Sequence, residues 1–135
     1  MLSRQHFTLV TVVISGFTMG AHAIEPGESR RNYQIVDGRF DARTYNGFRR
    51  YPAGCNHCHG PDGMGSTFGP SLGAGLPDIE TFRRIVRNGT SNGASVMKGF
   101  AGDPNVAPYE DEIYAYLQAR AEGRLGRGRP VQAKP

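Results

Sequence analysis

The sequence predicts an all-α domain: three to four short helices wrapped around a group that the polypeptide does not itself provide. Three observations carry this. Three segments show a helix cap or a helical apolar period, and none shows strand alternation of any consequence or an internal repeat. The stretches between them are rich in Gly and Pro, which rules out a long regular element there. Residues 55–59 read Cys-Asn-His-Cys-His, the C-x-x-C-H pattern of c-type haem attachment. Two thiols three residues apart can each form a thioether with one of the two haem vinyl groups, and His59 then sets an imidazole under the iron. One covalently attached haem, buried over most of its apolar surface, supplies core that so short a chain lacks.

The first residues read as an export signal. Arg4 and His6 open a short polar region, Phe7 to Met19 form a largely apolar run, and Ala21-His22-Ala23 fits a cleavage site. The run is too short and too rich in Thr and Ser for a membrane span, so no membrane attachment is expected after cleavage. Residues 1–23 are thus a signal peptide, and the mature chain starts near Ile24. It divides into an N-terminal extension (24–40), a haem-binding domain (41–122) and a basic Gly/Arg/Pro tail (123–135). Export fits the motif, since bacterial haem attachment to C-x-x-C-H takes place outside the cytoplasm. A periplasmic location is expected.

The chain carries 16 Lys and Arg against 12 Asp and Glu, a net charge of +4. Much of the excess sits at the end, at Arg120, Arg124, Arg127, Arg129 and Lys134. No aromatics are interleaved there, so nucleic acid is not an expected partner. A local docking surface on a protein partner fits better.

Element by element, residues 25–32 are polar and extended, and Tyr33 to Asp37 read as loop. Asp41 caps a helix running to about Arg50, with Tyr45, Gly47 and Phe48 on its packed side. Pro52 disfavours helix at Tyr51. Gly60 to Gly75 form a loop whose glycines let backbone approach a flat cofactor. Asp78 caps the next helix, Ile79 to Asn88, where Phe82, Ile85 and Val86 fall on one face and Gly89 stops it. Thr90 to Pro108 read as loop, with Met97 in its middle. The last helix runs from about Tyr109 to Ala121, with acidic residues at its start and Ile113, Tyr116 and Leu117 on its apolar face. The tail after Gly123 shows no core-forming pattern.

Ligand types are scarce in the mature chain: two His (His57, His59), two Met (Met64, Met97) and two Cys. Cys55, His57, Cys58 and His59 are too crowded to make one zinc tetrahedron. A dithiol oxidoreductase would need an α/β pattern that the chain lacks. His57 lies between the cysteines and cannot reach the far haem face. His59 is the proximal ligand, and the sixth ligand comes from across the ring. Met64, five residues on, would have to double back around the haem edge. Met97 sits in a loop between two helices and can cover the distal face, so it is the preferred axial ligand. Met/His ligation raises the potential and fills both axial positions, which favours electron transfer over chemistry at iron. The rival is a haem-based enzyme or gas sensor with a labile distal ligand. Pro70, in a stiff Gly-Pro turn, offers its carbonyl to orient His59.

These residues together resemble a class I cytochrome c, over Asp41 to Arg120. Gly47 and Tyr51, eight and four residues before Cys55, look like that family's N-terminal helix contact, and Ile113 with Tyr116 like its C-terminal partner. Gly69-Pro70-x-Leu72 resembles the proximal segment and Val96-Met97 the distal Met loop. The resemblance implies the small cytochrome c fold. Tyr45-Asn46-Gly47 with Arg50-Tyr51, Cys58-His59-Gly60-Pro61-Asp62-Gly63-Met64-Gly65-Ser66, Asp111 to Leu117 and Leu125 to Pro130 also resemble periplasmic cytochromes paired with PQQ-dependent methanol or ethanol dehydrogenases. That narrower likeness implies a carrier, not an enzyme by itself. It would take electrons one at a time from such a dehydrogenase and pass them to a downstream cytochrome or terminal oxidase.

Overall fold

The structure is a computed structural model and describes residues 31–93 and 95–134; the segment read as a signal peptide lies outside them. Asp41 caps the first helix as its sequence position predicts. Its carboxylate accepts from Thr44 N at 3.0 Å and from Thr44 Oγ1 at 2.6 Å. Helix α1 then runs Ala42–Gly54, past the expected end and through Pro52. Proline withholds one N–H from a helix. Here the burial of Tyr51, 2 % exposed, and a Cys55 N–H to Tyr51 carbonyl bond at 3.1 Å hold the last turn. A short helix α2, Asn56–His59, follows, then a 3₁₀ turn at Pro61–Gly63 and an irregular stretch to Asp78.

Helix α3, Ile79–Asn88, matches the expected span, with Asp78 accepting from Thr81 N at 3.0 Å and Gly89 at its end. Helix α4, Glu110–Ala121, follows a 3₁₀ turn at Ala107–Tyr109. Two short hairpins add strand to the expected helices. Strands β1 (Ile35–Val36) and β2 (Arg39–Phe40) pair across Asp37-Gly38, and β3 (Gly89–Asn92) pairs antiparallel with β4 (Ser95–Lys98). The first has positive φ at both turn residues, 51° and 71°, the geometry of a two-residue hairpin turn.

The α1–α4 crossing organises the core. At Gly47 the two backbones meet so closely that a Cβ there would overlap the Glu112 carbonyl and lie 3.0 Å from Ile113 N. Around the crossing pack Tyr51, Phe82, Val86, Phe100, Val106, Ile113, Tyr116 and Leu117. Tyr116 stands edge-on to Phe48, centroids 5.8 Å apart, and 5.6 Å from Tyr51. Each large side chain so buried contributes roughly 1.5–3 kcal/mol.

Helix α4 is buried on more than its expected face, from Ile113 to Ala119. The reason is a second small core on its far side, where Tyr33 and Phe40 pack on Ala115 and Ala119. The tail, which shows no core-forming pattern in the sequence, completes this side. Phe40 N donates to Val131 O at 2.8 Å, Ala133 N donates to Phe40 O at 2.7 Å, and Pro130 is buried. The described residues on both sides of the helices, 31–40 and 123–134, therefore belong to the folded unit. No described helix is long and apolar enough to cross a membrane.

Candidate functional site

The C-x-x-C-H residues fold as a helical turn. Cys58 N and His59 N both donate to the Cys55 carbonyl, at 3.3 and 2.9 Å. On helical backbone, residues three and four apart share a face. Cys55, Cys58 and His59 are therefore gathered on one side of a single turn. Cys55 is buried and Cys58 exposed, and they form no disulfide. Burial, then the nearby Cys58, pushes the Cys55 thiol up to about 12. It is thus a thiol at neutral pH, unlike the acidic thiols of dithiol oxidoreductases.

His59 is buried, and its Nδ1 lies 2.9 Å from the Pro70 carbonyl oxygen. A carbonyl only accepts, so Nδ1 carries the proton and donates. In a neutral ring that bond selects the tautomer with its lone pair on Nε2, the form a metal ligand requires. Nε2 makes no hydrogen bond of its own among the described residues. The approach of Pro70 depends on Gly69, where a Cβ would lie 2.9 Å from Cys58 O and 3.2 Å from His59 Nδ1.

The loop between these two residues is held at several points. Gly65 N donates to His59 O at 2.7 Å, Leu72 N to Gly63 O at 2.9 Å, and Ser66 Oγ to Cys58 O at 2.5 Å. From α1, Tyr51 Oη donates to Gly60 O at 2.7 Å. The motif is thereby tied to the helix crossing. Of these anchors, Ser66 and the Tyr51 hydroxyl bond were not singled out from the sequence; both residues stand at the edges of the motif, where a polar side chain can reach backbone.

Met97 sits on β4 and not in an irregular loop. Its residue pairs with Thr90, so the hairpin fixes its height and direction. Strand alternation turns Met97 toward the main core while Val96, 76 % exposed, and Lys98 face out. Met64 is 55 % exposed, and its N–H donates to Pro61 O in the same hydrogen-bonded loop that carries His59. His57 is exposed. The donor set on the motif side, two thiols and one imidazole with a fixed lone pair, suits a covalently held haem. No cluster of three or more His, Cys, Asp and Glu that could hold a bare metal ion occurs among the described residues.

Comparison with known proteins agrees. A family profile described as cytochrome C oxidase, cbb3-type, subunit III matches residues 42–117. Cytochrome c-553I of Paracoccus denitrificans is 44 % identical over 107 residues, covering 74 % of this chain and 47 % of its own. The chain thus spans about half the length of that relative. Cytochrome c-555 of Methylococcus capsulatus (strain ATCC 33009 / NCIMB 11132 / Bath) is 33 % identical over 91 residues, covering 65 % of this chain and 71 % of its own. The crystal structure of the c-type cytochrome XoxG from Methylobacterium extorquens AM1 superimposes with a TM-score of 0.71 at 43 % identity, over 76 % of this chain and 67 % of that one. With the C-x-x-C-H turn, the oriented His59 and the α1–α4 crossing in place, the chain belongs to the cytochrome c family and shares its covalently bound haem c.

Proposed function

We propose that the protein is a periplasmic one-electron carrier that takes electrons from a PQQ-dependent methanol or ethanol dehydrogenase and passes them to a downstream cytochrome or terminal oxidase. When bound, the haem supplies a one-electron Fe(III)/Fe(II) couple. Cys55 and Cys58 would hold it through their sulfurs, His59 and Met97 would ligate its iron, and the Pro70 carbonyl orients His59. A Pro70 bond that keeps Nδ1 protonated also makes the imidazole a stronger donor. The β3–β4 hairpin presents Met97 on a backbone-paired strand, which would keep the distal ligand in register.

The observation that carries this reading is the Nδ1 to Pro70 bond at 2.9 Å, joined with a Met97 turned inward while Met64 faces solvent. With His59 and Met97 both serving the iron, the haem would carry electrons and offer no position to a substrate. The dehydrogenase partner rests on the sequence resemblance set out above, and the likeness to XoxG, itself a c-type cytochrome, is compatible with it. Stopped-flow mixing of the oxidised protein with reduced candidate quinoprotein dehydrogenases tests the assignment. Reduction at one electron per chain, faster than with an unrelated reduced flavoprotein, is the expected result. Reduction no faster than that control by any such dehydrogenase would remove the partner.

A further inference from the structure

Asp62 lies three residues beyond His59 and is not a ligand, yet it gathers partners from α4 and from the tail. Its backbone is left-handed, φ +60°, a conformation rare for a non-glycine residue. Its side chain is 13 % exposed. Oδ1 accepts from Tyr116 Oη at 3.2 Å and Oδ2 from Gly128 N at 3.2 Å. Arg120 NH2 and Arg127 Nε lie 3.8 and 3.6 Å from Oδ2. The Asp62 carbonyl accepts from Arg120 Nε at 3.3 Å.

Arg120 has a second set of partners. Its side chain is 6 % exposed, and its guanidinium also donates to the Gly126 carbonyl. One side chain on α4 therefore joins the loop after His59 to the tail. Beyond Gly128 the tail crosses the start of α1, where Arg129 donates to Tyr45 Oη. Val131 and Ala133 then pair with the backbone of Phe40.

The geometry points to a latch: Asp62, Arg120 and residues 126–128 clamp the loop that runs from His59 to Pro70, making Asp62 a positioning residue for the axial imidazole. The inference rests on reading His59 as the iron ligand. The route is short. Gly60, Gly63 and Gly65 hold the loop through the Tyr51 hydroxyl, the Leu72 N–H and the His59 carbonyl, and Asp62 fastens the middle of that loop to α4. The same contacts use Arg120 and engage Arg127 within the molecule, so the basic tail is a structural clamp before it is a docking arm.

Haem-loaded protein tests this with amide hydrogen exchange and redox titration. Asp62→Asn keeps the shape and removes the charge. Arg120→Lys keeps the charge and removes the fork that bridges loop and tail. Both are expected to speed exchange at Gly65 and Leu72 by about tenfold or more while Phe82 and Val86 in α3 stay within about twofold. Arg120→Lys is also expected to lower the reduction potential at unchanged net charge, because a loosened loop admits water to the iron's surroundings. Removal of residues 131–135, which spares the clamp, is expected to leave Gly65 and Leu72 as in the full chain.

Uniformly faster exchange in all helices, with an unchanged potential, would reduce Asp62 to an ordinary stabilising residue and overturn the latch. So would a truncation that loosens the loop as much as Asp62→Asn does. If Asp62→Asn does not accumulate, Arg120→Lys carries the same test. Wild-type protein without covalent haem would overturn the His59 reading, and the latch with it. A haem-loaded wild type whose loop ignores both substitutions would overturn the latch alone.

Discussion

Gly47→Ala is the substitution that most sharply separates tertiary packing from local propensity. In an isolated helix the change is favourable by about 1 kcal/mol, since Gly is the poorer helix former. In the folded chain the added methyl lands on the Glu112 carbonyl and 3.0 Å from Ile113 N. Those atoms are main chain of α4 and cannot rotate away, so the two helices must part by well over about 1 Å. Overpacking against side chains alone costs about 1–3 kcal/mol. Against rigid backbone the cost sits at the top of that range, about 3 kcal/mol, and a net loss of about 2 kcal/mol remains after the propensity gain. At about 4–8 °C per kcal/mol, the melting temperature is expected to fall by about 10 °C or more. Parting the helices also disturbs the Tyr51, Tyr116 and Phe48 ring contacts and the Tyr51 bond to Gly60, so the haem-bound fraction is expected to drop too. Thermal unfolding of the purified holoprotein, followed by circular dichroism, measures the effect. A variant as stable as wild type, or more so, would refute the claim that the α1–α4 contact holds the fold.

Three further outcomes are expected. Gly69→Ala places a Cβ 2.9 Å from Cys58 O and 3.2 Å from His59 Nδ1, and should displace the Pro70 carbonyl; a weakened, pH-sensitive Soret spectrum is expected, and an unaltered one would deny Pro70 its orienting role. Met97→Leu should abolish the Met-to-iron charge-transfer band while Met64→Leu leaves it, and the reverse pattern would move the ligand to Met64. Asp111 is held below its ordinary carboxyl range of 3.8 mainly by its hydrogen bond with Arg83. Because the folded value lies below the unfolded one, this stabilisation is complete above about pH 5 and is lost as pH falls through the folded value. Asp111→Asn should therefore melt lower than wild type at neutral pH, with the gap closing in strong acid; a gap independent of pH would contradict it.

Much of the site was legible because it is local. The spacing within Cys55 to His59 is a helical turn's own geometry, and Asp41 and Asp78 announce their helices through caps that need only neighbouring N–H groups. The Pro70 carbonyl was readable from the need of a ligating imidazole for an acceptor. What escaped depends on contacts between distant segments. Pro52 reads as a helix end, yet burial of Tyr51 carries α1 past it. The tail has no apolar pattern because it is held by backbone pairing with Phe40 and by Asp62, not by an amphipathic face. Its contacts, with those of Tyr33 and Phe40, also explain why α4 is buried beyond the stripe its sequence displays. The β1–β2 hairpin had a signal, since Asp37-Gly38 is a strong two-residue turn pair; its two-residue strands were too short to show alternation. The β3–β4 strands are mostly polar and exposed, so periodicity could not reveal them, although Asn92-Gly93 marks their turn.

The central claim is a site closed on both faces by His59 and Met97, fit to carry electrons and not to bind small ligands. Adding carbon monoxide to the fully reduced protein at neutral pH and following its absorption spectrum tests this most directly. The closed site gives no spectral change in wild type and a saturable change once Met97 is replaced by Ala. Prompt, stoichiometric carbon monoxide binding by the wild type would contradict the account and make the protein a haem enzyme or gas sensor.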